Sequence, residues 1–155
     1  MPEKDGAVER PAKARRAVSF HRPGDEEVVR AARRLVRGSK ATFGSQNEFR
    51  AAVTRYLRNE DPLAVVGGRR LRRLLIGVPG IRITVHYTEQ PSTEPLTACP
   101  VCGSPLRPIR NMTLSGDAVV LGQRCTRCDY WTHRTRRVPT RYRISSGRSV
   151  RAAVA

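Results

Sequence analysis

The sequence predicts an α+β protein in which a small helical domain precedes a small β module, with disordered basic tails at both ends. Three observations predict this class. Apolar residues recur at helical spacing before residue 76, apolar and polar residues alternate from residue 81, and all four cysteines of the 155-residue chain fall within residues 99–128. Domains shorter than about 70 residues usually need a metal ion or disulfides to fold stably.

Composition divides the chain into five segments. Residues 1–23 mix proline, alanine and both signs of charge without a period, which predicts a disordered tail. Residues 24–89 form the predicted helical domain, and residues 90–97, rich in proline, serine, threonine and glutamate, form a linker. The four-cysteine module covers residues 98–145, and a basic tail covers residues 146–155.

Three helices and a strand are predicted before the linker. The first helix covers 25–37, because acidic residues favour its start and arginines favour its end. The second follows the capping box Ser45-Gln46-Asn47-Glu48 and carries apolar residues at helical spacing. The third covers about 69–76, and residues 81–88 then alternate as a half-buried strand does.

The cysteine spacing is typical of a structural zinc site. The pairs Cys99-x-x-Cys102 and Cys125-x-x-Cys128 each bring two sulfurs toward one point, and four thiolates fill the tetrahedral shell of Zn²⁺. Between the pairs, two potential strands flank a turn at Ser115-Gly116-Asp117. Two cysteine knuckles joined by a β-hairpin make a zinc ribbon, so the sequence predicts one structural zinc ion and no open position for catalysis.

Two other uses of paired cysteines are disfavoured by the neighbouring residues. A dithiol redox site needs a helix to activate its thiol, whereas Gly103-Ser104-Pro105 follows the first pair and opposes a helix start. A zinc deaminase needs His-x-Glu before its cysteine pair, and none of the three histidines is followed by x-Glu. Since no nucleophile–base pair stands out either, the protein is expected not to be an enzyme.

The charge of the chain indicates a polyanionic partner. Twenty-seven arginines and three lysines against 13 acidic residues give a formal charge of +17, which favours nucleic acid and, less often, an anionic membrane. Arginine pairs with phosphate bidentately and stacks on bases, so nucleic acid is the expected partner. The sequence contains no signal peptide or bilayer-spanning run, and we expect an intracellular protein, cytoplasmic or nucleoid-associated, without a membrane partner.

The residues predicted to contact nucleic acid are arginines of the third helix, of the hairpin and of the acid-free run after the last cysteine. They are Arg69, Arg70, Arg72, Arg73, Arg107, Arg110, Arg134, Arg136, Arg137, Arg141 and Arg143, with Arg124 and Arg127 extending the surface. The leucines of the third helix would pack on the other helices, so that its four arginines face solvent. There the arginines would recognise DNA or bind the phosphates of RNA. For each group the alternative is a solvated basic surface.

Trp131 follows the last cysteine pair and has two interpretations. The first is that its ring covers the small core of the ribbon. The second is that the ring is a platform on which bases stack, and this places Trp131 among the candidate nucleic-acid contacts.

Residues 99–144 resemble the zinc-ribbon superfamily, which occurs in transcription factors, RNA polymerase subunits and ribosomal proteins. The order of helices and strands over 25–88 resembles half of a winged helix-turn-helix domain. These resemblances imply a DNA-binding or transcription-associated factor, and they suggest RNA polymerase or the ribosome as larger partners. An RNA-binding or ribosome-associated protein and a protein–protein adaptor are the alternatives.

Overall fold

The computed structural model describes residues 19–38, 42–92 and 94–147. Three helices and two small antiparallel sheets lie in this part of the chain, which confirms the predicted α+β class. In chain order the elements are α1 (Asp25–Gly38), α2 (Gln46–Leu57), α3 (Gly68–Leu75), β1 (Gly80–Pro91), β2 (Leu106–Met112), β3 (Ala118–Cys125), β4 (Trp131–Thr132) and β5 (Thr135–Gly147). Over the described ranges, no helix combines the length and the apolar character that a bilayer span requires.

The three predicted helices are confirmed, with ends that differ from the prediction by about one residue. The hydroxyl of Ser45 caps α2 by accepting the N–H of Glu48 at 3.1 Å. The carboxylate of Glu48 in turn accepts the N–H of Gly44 at 2.9 Å. These local hydrogen bonds satisfy donors at the start of the helix that have no partner within it. The capping box in the sequence therefore marks the true start of α2.

The two longest strands, β1 and β5, pair antiparallel along their whole length and are called the β1–β5 arm below. Gly80 lies opposite Gly147 at one end, and Pro91 lies opposite Thr135 at the other. The strands β2, β3 and β4 form the second sheet and lie between β1 and β5 in the sequence. The predicted linker, residues 90–97, therefore begins inside β1, and the cysteine-containing segment is an insertion between the two strands of the arm.

In the part of the chain that the structure describes, the buried residues form two cores. The helical core contains Val28, Ala31, Ala32, Val36, Phe49, Val53, Leu57, Ala64, Val66, Leu71, Leu75, Ile81 and Ile144. The cysteine core contains Cys99, Val101, Cys102, Cys125 and Tyr130. Strand β1 contributes to both, because Ile81 lies in the helical core while Val85 and Tyr87 pack against the cysteine core. The division into two domains stays a prediction, but one strand connects the two cores.

A β-bridge ties the end of the arm to the helices. Phe43, in the loop before α2, and Ile144 of β5 exchange two backbone hydrogen bonds of 2.8 and 3.2 Å. The ring of Phe43 also packs edge-on against the ring of Phe49 in α2, with 4.7 Å between the ring centroids. The arm is therefore held by backbone pairing as well as by side-chain packing.

Both predicted tails overlap with residues that the structure describes. His21, within the tail predicted over 1–23, forms a parallel β-bridge with Ala64. Gly147, within the tail predicted over 146–155, is the last residue of β5. The prediction placed these tail boundaries too far inward because neither pairing has a local sequence signal. Residues 1–18 and 148–155 of the predicted tails lie outside the described residues.

Gly122→Ala is expected to destabilise the protein, because the strands β3 and β4 approach each other closely at this glycine. A Cβ atom at position 122 would lie 1.9 Å from the carbonyl oxygen of Thr132 and 2.8 Å from Cα of His133. Both are backbone atoms, and overpacking of this kind costs about 1–3 kcal/mol. Chemical denaturation should therefore show a lower midpoint.

The control is Gly44→Ala. Its Cβ would meet only the flexible carboxylate of Glu48, at an ordinary contact distance of 3.5 Å. We expect this variant to stay close to the wild type. Equal midpoints for the Gly44 and Gly122 variants would contradict the close approach of β3 and β4.

Candidate metal centre and nucleic-acid interface

The four cysteine side chains converge at one point. Their Sγ atoms all lie within 4.8 Å of one another, with Cys99 and Cys128 3.6 Å apart and Cys102 and Cys125 3.4 Å apart. A disulfide would require a separation of about 2.0 Å, and all four cysteines are free. The four residues predicted from their spacing can therefore hold a metal ion.

The hairpin predicted between the cysteine pairs is confirmed and places the two pairs beside each other. Strands β2 and β3 pair antiparallel from Leu106 opposite Cys125 to Met112 opposite Ala118. Gly116 makes the turn with a φ of 89°, a backbone conformation that glycine adopts at little cost. Because the second cysteine pair starts at the end of β3, pairing with β2 brings it next to the first pair.

Backbone N–H groups surround the sulfurs in both knuckles, which are defined here as residues 99–103 (first) and 125–129 (second). In the second knuckle, the N–H groups of Arg127 and Cys128 donate to Sγ of Cys125 at 3.3 and 3.4 Å. Such hydrogen bonds stabilise negative charge on sulfur. The knuckles are therefore suited to holding thiolates, the form of cysteine that binds metals.

The sulfurs of Cys99 and Cys128 lie within hydrogen-bonding distance of each other, at 3.6 Å. The hydrogen bond with Cys128, supported by the N–H groups of Cys102 and Val101, lowers the pKa of the Cys99 thiol to about 5. The same hydrogen bond, together with burial, raises the pKa of Cys128. Of this pair, Cys99 therefore loses its proton more readily, and a bound cation would favour the thiolate form of both residues.

Tyr130, and not Trp131, completes the cysteine core. Tyr130 is the largest fully buried side chain among the described residues, and its hydroxyl donates to the carbonyl oxygen of Arg137 in β5 at 2.8 Å. Trp131, by contrast, is 43% exposed as a residue. The interpretation that Trp131 covers this core is therefore wrong, since the preceding aromatic residue already fills the space.

Two of the four arginines of α3 have partners inside the protein. Arg70 forms an ion pair with Asp25 at the start of α1 and donates to the carbonyl oxygen of Pro23 at 2.6 Å. Arg69 and Arg73 are exposed, whereas Arg70 and Arg72 are half-buried. The prediction that all four arginines point outward is therefore wrong for Arg70 and Arg72.

Arg72 connects α3 to the first knuckle. Its Nε donates to the carbonyl oxygen of Val101 at 2.6 Å, and its Nη1 donates to the side chain of Gln46 at 2.5 Å. The guanidinium also lies 4.2 Å from the ring centroid of Tyr142 in β5. From the second knuckle, Arg127 donates to the backbone carbonyl of α3 at residue 73. Both knuckles are thus attached to α3.

A groove of about 950 Å³ lies beside the four cysteines, between β1 and the second knuckle. Its floor includes apolar residues of β1 such as Ile83 and Val85. The basic and aromatic residues that line it are Arg82, Tyr87, Arg124, Arg127, Tyr130, Trp131 and Arg137. Asp129 is the single acidic residue in the described lining. The groove is therefore basic.

Arg137 links two aromatic residues of the groove. Its guanidinium carbon lies 4.1 Å from the ring centroid of Tyr87 and 4.3 Å from that of Trp131. The ring of His133 meets Trp131 edge-on at 4.9 Å. Contacts between a cation and aromatic faces at these distances are attractive. The exposed indole of Trp131 is therefore held in position although it belongs to neither core.

Arg107, Arg124 and Trp131 lie side by side across β2, β3 and β4. Arg107 pairs with Arg124, and Arg124 pairs with Trp131. Directly opposed residues share one face of a sheet, where like charges repel. Among the described residues, neither arginine has a carboxylate within 4.0 Å. This face of the second sheet therefore carries uncompensated positive charge.

The remaining predicted contacts lie outside the groove. Arg110, Arg134, Arg141 and Arg143 are exposed, and Arg136 donates to the carbonyl oxygen of Glu94 at 3.3 Å. Of the residues predicted to contact nucleic acid, four line the described part of the groove. They are Arg124, Arg127, Trp131 and Arg137. The sequence did not predict that Arg82 and Tyr87 line the groove. They do so because β1 lies near the second knuckle, and residues that are close only in the folded protein produce no local sequence pattern.

No protein-family model, curated protein or solved structure matches the chain.

Proposed function

We propose that the protein binds nucleic acid without catalysing a reaction, foremost as a DNA-binding or transcription-associated factor with one structural zinc ion. One observation carries this proposal. Between Leu106 and Gly147 the chain has nine arginines and two acidic residues, and in the described structure only Arg136 among them has a carboxylate partner, Glu94 at 4.0 Å. A polyanion would supply the missing counter-charge.

The sulfur geometry supports zinc as the ion. Tetrahedral Zn²⁺ with zinc–sulfur distances of about 2.3 Å separates its sulfurs by about 3.8 Å. Two sulfur pairs, at 3.6 and 3.4 Å, come close to this value, and all four sulfurs lie within 4.8 Å of one another. Four thiolates would complete the coordination shell, so the ion would stabilise the fold and have no open position for a substrate.

The order of elements supports a winged helix-turn-helix arrangement in the N-terminal part. The bridge at Phe43 lies between α1 and α2, and α3 is followed by the β1–β5 arm, which would be the wing. The zinc ribbon would then be inserted into this wing. Arg69 and Arg73 are the exposed arginines of α3 and lie four residues apart, hence on one face of the helix.

The salt dependence of duplex binding tests the proposal. The affinity of the wild type should fall linearly on a log–log plot against salt, because binding releases counterions from phosphates. The double variant Arg69→Ala, Arg73→Ala should bind more weakly, and its slope should be smaller by about two, since each arginine that neutralises a phosphate contributes about one. Fluorescence anisotropy with a labelled duplex of mixed sequence measures both quantities.

The control is Arg33→Ala with Arg34→Ala, which removes the same charge from exposed positions of α1. We expect a smaller change of slope for this variant. Equal slopes for the two double variants would contradict a specific role for α3. If the wild type had no salt-dependent affinity for duplex or single strand, the nucleic-acid proposal would be wrong and a protein–protein adaptor would take its place.

A further inference from the structure

The groove between β1 and the second knuckle combines positive charge with a concave shape. Four arginines of its lining, Arg82, Arg124, Arg127 and Arg137, come from three separate parts of the chain. The single acidic residue in the described lining is Asp129. Because these arginines converge only in the folded protein, the charge of the groove is a property of the tertiary structure. It suits a ligand with several phosphates.

Trp131 gives the groove an aromatic surface that packing does not require. Tyr130 already fills the cysteine core, and Trp131 is 43% exposed. Arg137 lies against the ring at 4.3 Å and against Tyr87 at 4.1 Å, which orients the indole in advance. Stacking on such a fixed aromatic ring costs little side-chain entropy. The indole is therefore placed to stack with a flat ligand group.

Two guanidinium groups and the indole of Trp131 lie on adjacent strands of the second sheet. Arg107, Arg124 and Trp131 occupy one row across β2, β3 and β4. Strands lie about 4.8 Å apart, so the row spans about 10 Å. A chain that carries phosphates and flat bases in alternation could contact all three side chains at once.

We propose that this groove binds single-stranded nucleic acid, with phosphates at Arg124 and Arg127 and one base stacked on Trp131. The inference rests on the proposed nucleic-acid function and extends it to a second site, which does not include Arg69 and Arg73 of α3. A basic groove with an aromatic stacking surface is the general solution for single strands. In a duplex the bases are paired and stacked on each other, so none is free to enter a groove of about 950 Å³.

Trp131 is the only tryptophan of the chain, so its fluorescence reports on the site directly. The full zinc-loaded protein is titrated with a 12-nucleotide single strand, as DNA and as RNA, and with the corresponding DNA duplex. Single strands should quench the fluorescence of Trp131, because a base stacks on the indole. The duplex should leave the fluorescence unchanged.

Trp131→Ala should lower single-strand affinity about tenfold, a typical effect of removing the platform for one stacked base, and change duplex affinity less than twofold. Trp131→Phe keeps an aromatic face and should restore part of the affinity. Arg124→Ala should lower the salt slope for single strands by about 0.7, as expected for one phosphate contact. Because Arg124 is exposed, its variant tests the groove even if Trp131→Ala fails to fold.

Unchanged tryptophan fluorescence, together with unchanged single-strand affinity in the Arg124 variant, would overturn the inference. If duplex binding then kept its salt dependence, the proposed function would stand and only the groove would be reassigned. If the wild type bound neither form of nucleic acid, both proposals would fail. Quenching by a poly-glutamate peptide at the same affinity as by the single strand would also overturn the inference, since the groove would then select charge and not bases.

Discussion

Cys125→Ser is expected to abolish metal binding and to unfold the cysteine core. Structural zinc contributes about 10–16 kcal/mol in zinc-finger peptides, whereas a whole domain is stable by about 5–15 kcal/mol. Among the described residues, only Val101 and Tyr130 are fully buried apolar members of the cysteine core besides the cysteines themselves. So small a core does not compensate for the loss of the ion. Elemental analysis should fall from one zinc per chain to none, and Cys99→Ser should behave in the same way.

The loss of structure should be graded along β1, because this strand serves both cores. Val85 and Tyr87 pack against the cysteine core, whereas Ile81 belongs to the helical core. In hydrogen exchange, amide protection should therefore fall at Val85 and Tyr87 in the Cys125 variant. Protection should persist at Ile81 and at Ile144, which is buried in the helical core.

Thr126→Ser is the matched control, since it keeps the hydroxyl that donates to the carbonyl oxygen of Pro105 at 3.1 Å. This variant should retain one zinc per chain and the exchange protection of the wild type. Wild-type protein without bound zinc, but with full protection of Tyr130, would contradict the metal centre.

Arg72→Ala is expected to destabilise the protein by about 3 kcal/mol. Hydrogen bonds to charged groups contribute about 1.5–3 kcal/mol each, and a cation–π contact contributes about 0.5–2 kcal/mol. These contributions are not strictly additive. The side chain connects α3 to the first knuckle through Val101, to α2 through Gln46 and to the arm through Tyr142. Its removal should therefore loosen the attachment of the cysteine core to the helices. Chemical denaturation measures the change in the free energy of unfolding.

Arg69→Ala removes the same charge from the same helix at an exposed position, and its effect should stay within about 0.5 kcal/mol. Arg72→Lys keeps the charge but lacks the planar fork that reaches two acceptors, so it should resemble Arg72→Ala. If Arg69→Ala and Arg72→Ala proved equally stable, Arg72 would have no structural role and would return to the candidate nucleic-acid surface.

The features that could be predicted from the sequence depend on residues close together in the chain. The capping box at Ser45 acts within four residues, and each CxxC pair forms its own turn. The alternation along β1 identified the inward residues Ile81, Val85 and Tyr87. A local pattern is sufficient in these cases because the hydrogen bonds and the side-chain periodicity that determine the structure are themselves local.

The roles of neighbouring residues of one chemical type could not be predicted in this way. Arg69 and Arg72 both lie on α3, and Tyr130 and Trp131 are adjacent aromatics, yet one member of each pair is exposed while the other makes internal contacts. Spacing from the leucines does not reveal that Val101, 29 residues after Arg72, offers a carbonyl oxygen. This contact forms only when the first knuckle packs against α3 in the folded protein.

Three helices, a hairpin between two cysteine pairs and an excess of arginine could all be identified from the sequence. The tertiary structure alone decided which of these arginines stabilise the fold and which face solvent. It did so through the pairing of β1 with β5, which encloses the cysteine segment and brings both knuckles to α3. The physical reason is that propensity and periodicity act over a few residues, whereas burial and charge pairing depend on residues far apart in the chain.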